Sequence, residues 1–331
     1  MYANGRAPSS AAASDGYLPA VREGLDRSRV AEVQRARLLG ALVGEVAERG
    51  VASVSVAHVV ARAGVSRRTF YELFVDREDC FLAAFEEALG GATATVLPAY
   101  EQAGGWLERM RASLRALLEW LDHDPAWARL LIVGSLAAGP QVLERRQSAL
   151  ARMVEAIDEG RGQARRGVEP PPMTAEGVLG GILSILHARL SEKAPPRLVE
   201  LSGPLMAMIA LPYLGAAAAS REAARPAPKS PAKRPALPHS DPLQGLDMRL
   251  TYRTIRVLSA VAQSPGSSNR AVGTAAEIGD QGQVSKLLAR LQRVGLVENK
   301  GEGAATRGEP NAWRLTDRGS EVHATIAGVA S

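Results

Sequence analysis

The chain contains little cysteine and few aromatic residues. Among its 331 residues Cys80 is the single cysteine, and aromatic residues make up 4%. One cysteine excludes an internal disulfide framework and a cysteine-cluster zinc site, which fits a reducing compartment. The scarcity of aromatics predicts mostly aliphatic cores, and the length together with 46% hydrophobic residues predicts about two or three folded domains.

Catalytic and nucleotide-binding motifs are missing as well. The sequence has no GxSxG, HExxH or GxxxxGKS/T segment. Its nearest approach to GxGxxG, beginning Gly301-Glu302-Gly303, lacks the strand-to-helix context that phosphate binding requires. We therefore expect a protein that is not an enzyme and that carries no cofactor.

Long uninterrupted apolar runs are also absent. Residues 1–28 lack the apolar core of a secretory signal, so we expect a disordered tail. The segment from Leu201 to Ser220 has no charged residue, but Pro204 and Pro212 interrupt it. We interpret this segment as a helix buried in protein and expect no membrane insertion.

Composition divides the rest of the chain into regions. Residues 221–241 are rich in proline, alanine and arginine, which predicts an extended linker. Apolar residues at helical spacing dominate before the linker, whereas strand-like runs appear after it. The expected fold is mainly α, with a helix-turn-helix three-helix module at 29–89, an all-helical domain at 90–220 and a separate α+β winged-helix domain at 242–331.

The first of these regions has the pattern of a helix-turn-helix. Ser55 and Ser66 are placed to cap two helices, Gly64 permits the positive φ of a tight turn, and Val65 can fill the angle between them. Phe70 and Phe74 share one face of the second helix and can pack inward. The residues turned outward are then Arg67, Arg68, Thr69 and Tyr71, and Asp76 is placed to cap the next helix.

Residues 38–50, residues 55–64 and the segment AGVSRRTFYELFVDRED resemble the DNA-binding domain of TetR-family transcriptional regulators. The resemblance implies that Ser66 opens the recognition helix and that Arg67, Arg68 and Thr69 face the major groove. It also implies that Tyr71 and Arg77 contact phosphate. The Arg67-Arg68 pair replaces the commoner Lys-Gly, and Leu73 stands where the family often has His or Tyr, so the operator cannot be borrowed from relatives. Because arginine can bond guanine O6 and N7 together, we expect guanine in the half-site.

The same resemblance implies that the middle region dimerises and senses a ligand. The helices around residues 175–219 carry the apolar residues Leu179, Ile182, Leu183, Leu186, Leu190, Leu201, Leu205, Met208 and Ile209, which we interpret as a four-helix homodimer interface. A pocket for a small apolar effector is expected around Trp106, Met110, Trp120, Trp127 and Met153, and the alternative is that these are ordinary core residues.

The other candidate ligands in the middle region favour structural roles. Asp122, His123 and Asp124 point in different directions on a helix, and Asp124 before Pro125 is typical of an N-cap, so we expect no metal. We interpret His187 and Cys80 as core residues, the latter because acidic neighbours oppose a thiolate.

A second DNA-reading pattern follows the linker. Asp280 is placed to cap a helix whose apolar stripe includes Val284, Leu288 and Leu291, and Gly295 can end it. That stripe leaves Gln281, Gln283, Ser285, Lys286 and Arg290 for solvent or DNA.

Residues 280–319, which include KLLARLQRVGLVE and WRLTDRG, resemble the winged helix-turn-helix of MarR-like regulators. The resemblance implies that Gln283, Ser285 and Lys286 read the major groove and that Arg307 enters the minor groove from the wing. The alternative is a winged helix that contacts a protein partner.

Together these features predict a cytoplasmic, nucleoid-associated, homodimeric transcription factor that binds double-stranded DNA, with repression as the expected sign. Two other classes stay open. One is a non-sensing architectural DNA-binding protein, and the other is an enzyme that carries DNA-binding domains.

Overall fold

The computed structural model describes residues 27–164, 169–192, 196–227, 251–301 and 311–327. The chain divides into two compact units, one spanning residues 34–244 and one that includes residues 245–331. The helices before the linker are α1 (Arg27–Arg49), α2 (Val56–Ala63), α3 (Arg67–Leu73), α4 (Arg77–Gln102), α5 (Trp106–His123), α6 (Pro125–Ile132), α7 (Pro140–Asp158), α8 (Thr174–Leu190), α9 (Ser202–Leu214) and α10 (Ala216–Ala223).

The N-terminal module, which comprises residues 34–102 of α1 to α4, is built around phenylalanine. Phe70 and Phe74 are buried with their ring centroids 5.6 Å apart, and Phe81 and Phe85 of α4 are buried in the same core. All four phenylalanines of the chain therefore fill this core, and the inward packing of Phe70 and Phe74 is the one that their spacing predicted. Aliphatic residues of α1, among them Leu38 and Leu42, complete it.

The following helices form a bundle in which α5, α6 and α7 contact α4. α5 packs against α4 and α9, and α8 packs against α6 and α7. Leu179, Ile182, Leu186 and Leu190 of α8 are buried within this single chain, as are Leu205 and Ile209 of α9. These side chains, expected at a dimer interface, are thus already covered by the protomer's own core. The spacing of the apolar residues therefore indicated correctly that these faces of α8 and α9 are buried. It did not indicate that the residues covering them belong to the same chain.

The end of α10 is tied closely to α9. Gly215, with φ 80°, turns the chain so that α10 folds back on α9. A Cβ atom at Gly203 would lie 3.1 Å from the carbonyl oxygens of both Glu222 and Ala223. Because α10 extends to Ala223, the first three residues of the expected linker are helical, and residues 228–241 lie outside the described residues.

The C-terminal unit contains α11 (Tyr252–Gln263), α12 (Asn269–Ala275), α13 (Gln281–Arg293), β1 (Val297–Asn299), β2 (Trp313–Leu315) and α14 (Asp317–Ala327). The strands pair antiparallel, with Val297 opposite Leu315 and Asn299 opposite Trp313. Asp280 caps α13, and Gly295 follows it with φ 73°. The strand-like runs expected after the linker thus form two paired strands of three residues each. Residues 242–250 of the expected winged-helix domain lie outside the described residues.

One described helix, α4, is long and apolar enough to cross a membrane by length and composition. Core helices pass the same test, and α4 contributes Cys80, Phe81, Ala84, Phe85 and Ala88 to the buried core of the N-terminal module.

Candidate nucleic-acid interface

The turn between α2 and α3 has the local geometry that the sequence predicted. The Ser55 hydroxyl accepts from the His58 backbone N–H at 3.3 Å, and the His58 imidazole accepts from the Ser55 backbone N–H at 3.4 Å, forming a capping box. Gly64 adopts the left-handed conformation, with φ 63° and ψ 32°, and Val65 is buried beside it. These features fix the direction in which α3 leaves α2.

Ser66 caps α3. Its hydroxyl accepts from the Thr69 backbone N–H at 3.0 Å and lies 2.9 Å from the Thr69 hydroxyl. Thr69 is therefore half-buried and turned toward the cap, whereas it was expected to face outward with its neighbours. The bond between the two hydroxyls uses the O–H of only one of them, so the other O–H remains available to a base.

The outward face of α3 carries the predicted arginines and tyrosine. Arg67, Arg68 and Tyr71 are exposed, while Phe70 on the opposite side is fully buried. The Tyr71 ring packs edge-on against Phe70 with centroids 5.4 Å apart, and Tyr71 is 59% exposed. Arg68 Nε donates to Glu72 Oε1 at 2.9 Å, an ion pair that the helical spacing of the two residues permits.

Arg77 makes contacts different from the phosphate contact that the resemblance implied. Its Nη1 donates to the carbonyl oxygens of Val51 at 3.3 Å and Val54 at 3.0 Å. These bonds tie the start of α4 to the 3-10 turn at Val51–Ser53, which joins α1 to α2. In this structure Arg77 therefore links α4 to the segment between α1 and α2, which we call a brace within the module.

A second brace joins α1 to α2. Arg62 donates to Glu45 at 3.2 Å and forms an ion pair with Glu48 at 2.8 Å, and Arg49 donates to Glu45 at 2.7 Å. Burial by itself would raise the pKa of Glu45, but the hydrogen bonds from the two arginines outweigh it and hold the pKa below the ordinary glutamate value. Glu45 therefore stays ionised near neutral pH and keeps its bond to Arg62 of α2, the helix that precedes the turn.

The capped helices α2 and α3 lie within the segment of the chain that matches a known protein family. Residues 38–84 match the family model of bacterial regulatory proteins, tetR family. The HTH-type transcriptional activator FasR of Mycolicibacterium smegmatis is 24% identical over 124 residues, which is 38% of this chain and 57% of that protein. The HTH-type transcriptional repressor SCO4008 of Streptomyces coelicolor is 25% identical over 155 residues, or 46% of this chain and 76% of that protein. The chain thus spans little more than half the length of the first of these relatives.

A solved structure also matches part of the chain. The fatty acid degradation regulator FadR from Bacillus halodurans has a TM-score of 0.48 and 18% identity, over 53% of this chain and 94% of that chain. Residues 38–84 are thus similar to bacterial regulatory proteins of the tetR family, and the two relatives are HTH-type transcriptional regulators.

The residues expected to form an effector pocket lie in the core of the unit that spans residues 34–244. Trp106, Met110, Trp120 and Trp127 are buried, and Met153 is half-buried against the same core. The Trp106 indole donates to the Ala156 carbonyl at 3.0 Å and packs edge-on against Tyr213. Within the described part of the chain, the buried Trp120 indole N–H has no acceptor.

A cavity of about 670 Å3 lies elsewhere in the same unit, and none of the five residues lines it. Its walls are the end of α1 with the 3-10 turn after it, α6 with the segment after it, and the end of α8. Arg129 lines this cavity and donates to the carbonyl oxygens of Leu190 at 2.9 Å and Glu192 at 3.0 Å, so it caps the end of α8.

The acidic residues considered as metal ligands have structural partners. Asp124 accepts from the backbone N–H groups of Ala126 and Trp127 and caps α6, as predicted. Asp122 accepts from the backbone N–H groups of Leu198 at 2.7 Å and Val199 at 3.0 Å, a long-range contact that no local pattern indicated. Across the described ranges no cluster of three potential metal ligands occurs. Burial, with the nearby Asp79, raises the pKa of Cys80 to about 12.

The exposed face of α13 carries the remaining predicted DNA contacts. Gln281, Gln283, Ser285, Lys286 and Arg290 are all exposed. Gln283 accepts from Arg253 at 3.0 Å, and Ser285 accepts from Asn269 at 2.9 Å. Arg307 lies outside the described residues.

An amide network that the sequence did not indicate joins α12 and α13 to the base of the hairpin. The Asn269 side-chain oxygen accepts from Asn311 at 2.9 Å and from the Trp313 indole at 2.6 Å. Asn299 donates to Asn311 at 2.7 Å and accepts from the Ala312 backbone N–H. No sequence signal pairs these residues, because their contacts form only when the hairpin packs on α12.

Proposed function

We propose that the protein regulates transcription by inserting α3 into the major groove of a specific DNA site. The observation that carries this proposal is the division of α3 into a buried face and an exposed face that bears Arg67, Arg68 and Tyr71. Arginine can donate two hydrogen bonds to one guanine, and a tyrosine hydroxyl can donate to a phosphate. The cap at Ser66 brings the start of α3, with both arginines, to the surface.

Replacement of Arg68 tests the proposal. A DNA site is first selected from a pool of randomised duplexes with the full-length protein, and binding is then measured by footprinting. We expect Arg68→Ala to weaken specific binding by at least about 10-fold, the value of one bidentate base contact. Arg152→Ala is the matched control, since Arg152 is an exposed arginine on α7. Specific binding retained by Arg68→Ala would refute the recognition-helix assignment.

The proposed active form is a homodimer, because two copies of α3 must lie about one DNA turn apart, roughly 34 Å, to read a two-fold site. Small residues occupy the exposed face of α8, namely Gly177, Gly180, Ser184 and Ala188. On α9, Leu211 is 52% exposed. We propose that these faces of α8 and α9, and not the buried leucines, form the contact between protomers.

We also propose that α5 to α9 respond to a small apolar effector that releases the protein from DNA. The unpaired indole N–H of Trp120 supports this, because a buried donor without an acceptor is uncommon and a ligand oxygen would satisfy it. The test is a screen of small apolar compounds for a change in DNA affinity, followed by Trp120→Phe, which keeps an aromatic ring and removes the donor. DNA affinity unaffected by every compound would favour a non-sensing architectural protein.

The C-terminal unit is proposed to be a winged helix-turn-helix that binds DNA next to the first site. Lys286, Arg290 and Arg293 are exposed on α13 above the buried Val284, Leu288 and Leu291. Deletion of residues 241–331 is expected to shorten the protected DNA or to weaken binding. An unchanged footprint and affinity would favour the alternative, in which this unit contacts a protein partner.

A further inference from the structure

Glu72 is bonded to the arginine that is proposed to read DNA. The two residues are four positions apart on α3, and Arg68 Nε donates to Glu72 Oε1 at 2.9 Å. The Arg68 side chain is 89% exposed and that of Glu72 is 56% exposed, so the pair lies on the outer surface of the helix. The adjacent Arg67 has no acidic partner among the described residues.

The bond engages one edge of the guanidinium and leaves the other edge free. Arginine has five N–H donors in a planar fork, and a donation from Nε leaves the four donors on the two terminal nitrogens. A guanidinium can approach guanine through the two terminal nitrogens or through the side that contains Nε. With Nε donated to Glu72, the approach through the terminal nitrogens is the one that remains.

We propose that Glu72 is a specificity-determining residue that positions Arg68 for end-on bidentate bonding to guanine O6 and N7. This inference rests on the proposed role of α3 in reading the major groove. An arginine without such a partner can also bind a phosphate oxygen, and a phosphate contact carries no sequence information. The Glu72 carboxylate disfavours that contact by repelling phosphate, so the pair selects the base over the backbone.

Variants of Glu72 separate positioning from charge and from helix stability. In Glu72→Gln the amide oxygen can still accept from Arg68 Nε, although the negative charge is lost, whereas Glu72→Ala removes the acceptor. Exposed pairs at this spacing contribute little to the stability of a folded protein, so both variants are expected to fold. A role confined to helix stability would leave base preference unchanged.

The experiment selects binding sites for the full-length protein and its variants from a randomised duplex pool and compares guanine with adenine at the position that Arg68 controls. We expect Glu72→Ala to reduce the preference for guanine by about 2- to 5-fold, the range that the loss of one exposed ion pair can produce. Its affinity for unrelated DNA should rise. Glu72→Gln should keep most of the guanine preference. An undiminished preference in Glu72→Ala would overturn the inference.

Glu86 provides the matched control, because its carboxylate forms an ion pair with Arg145, 3.0 Å from Nε, and is 46% exposed. Glu86→Ala removes the same charge and should not alter base preference. A loss equal to that of Glu72→Ala would overturn positioning in favour of charge alone. If Arg68→Ala selects the same sites as the wild type, the recognition-helix proposal fails, and the inference fails with it. If Arg68→Ala loses guanine selection and Glu72→Ala keeps it, the role of α3 stands and only the positioning role falls.

Discussion

Arg111 and Glu222 form a bidentate ion pair that joins α5 to the last turn of α10. Arg111 Nη2 lies 2.8 Å from one carboxylate oxygen of Glu222, and Arg111 Nε lies 3.0 Å from the other. Glu222 is 3% exposed. Arg225 reaches the same carboxylate through a single contact of 3.3 Å from a more exposed position. The helix that leads into the linker is thus anchored by one buried carboxylate.

We predict that Arg111→Ala lowers the free energy of unfolding by about 2 kcal/mol, because it leaves a buried carboxylate without its main partner. Arg225→Ala should cost less than about 0.5 kcal/mol, as for other exposed pairs. Urea unfolding followed by fluorescence of the tryptophans in this unit measures both values. If both variants lose the same free energy of unfolding, the bidentate geometry of the Arg111 pair does not stabilise the protein more than the single contact of Arg225.

The Glu222 carboxylate should also make the free energy of unfolding depend on pH. The hydrogen bonds from Arg111 hold the pKa of Glu222 below the ordinary value of 4.5, even though burial acts in the opposite direction. A lowered pKa in the folded state means that the contribution is complete above 4.5 and is lost as the pH falls through the folded-state value. The stability difference between wild type and Glu222→Gln should therefore be constant above about pH 6 and shrink below 4.5. A difference unchanged down to about pH 3 would contradict this assignment.

Close packing at Gly203 supplies another prediction. A methyl group there meets backbone carbonyls 3.1 Å away, which cannot rotate aside as a side chain can. Gly203→Ala should therefore destabilise the protein by about 1–2 kcal/mol. Gly90→Ala is the contrasting variant, because a methyl group at Gly90, within α4, would have no other atom within 4 Å, and it should stabilise by up to about 1 kcal/mol. If the melting temperature shifts in the same direction in both variants, the carbonyl oxygens of Glu222 and Ala223 do not approach Gly203 closely enough to exclude a methyl group.

The caps of the N-terminal module were predictable from sequence because each depends on residues within four positions. Ser55, Ser66 and Asp76 each accept from a backbone N–H three residues ahead, and Gly64 supplies a conformation that other residues avoid. The positions of Phe70 and Phe74 followed from helical spacing in the same way. Local physics therefore determines most of the candidate interface.

The braces could not be predicted, because they join residues distant along the chain. Arg77 contacts the carbonyls of residues 23 and 26 positions earlier, and Arg111 contacts a glutamate 111 positions later. An exposed-face arginine and a bracing arginine look alike in a sequence, since both stand near a helix start. Likewise, the apolar stripe of α8 predicted burial without indicating whether the partner was its own chain or a second copy.

The proposed dimer face leads to a prediction about oligomeric state. Leu211→Arg places a charge on the exposed side of α9 and should convert the dimer to a monomer in sedimentation experiments, with weaker DNA binding as a result. Leu97→Arg is the control, because Leu97 on α4 is 49% exposed, close to the 52% of Leu211. A dimeric Leu211→Arg protein would place the protomer contact on another surface.

The role of Arg77 can be decided by the salt dependence of DNA binding. Each phosphate contact that is lost reduces the slope of log K against log salt by about 0.9. Because the Arg77 guanidinium is already bonded to the Val51 and Val54 carbonyls, we predict that Arg77→Ala leaves this slope unchanged. The free energy of unfolding should instead fall by about 1 kcal/mol, since two charge-assisted bonds are lost at a partly exposed site.

Arg67→Ala is the control for Arg77→Ala, because Arg67 is exposed on α3. It should weaken DNA binding without changing the free energy of unfolding. A reduced salt slope in Arg77→Ala, together with the expected loss of stability, would mean that Arg77 leaves its carbonyl partners to bind phosphate in the complex. The turn between α1 and α2 would then be held only in the free protein, and DNA binding would loosen the module at that turn.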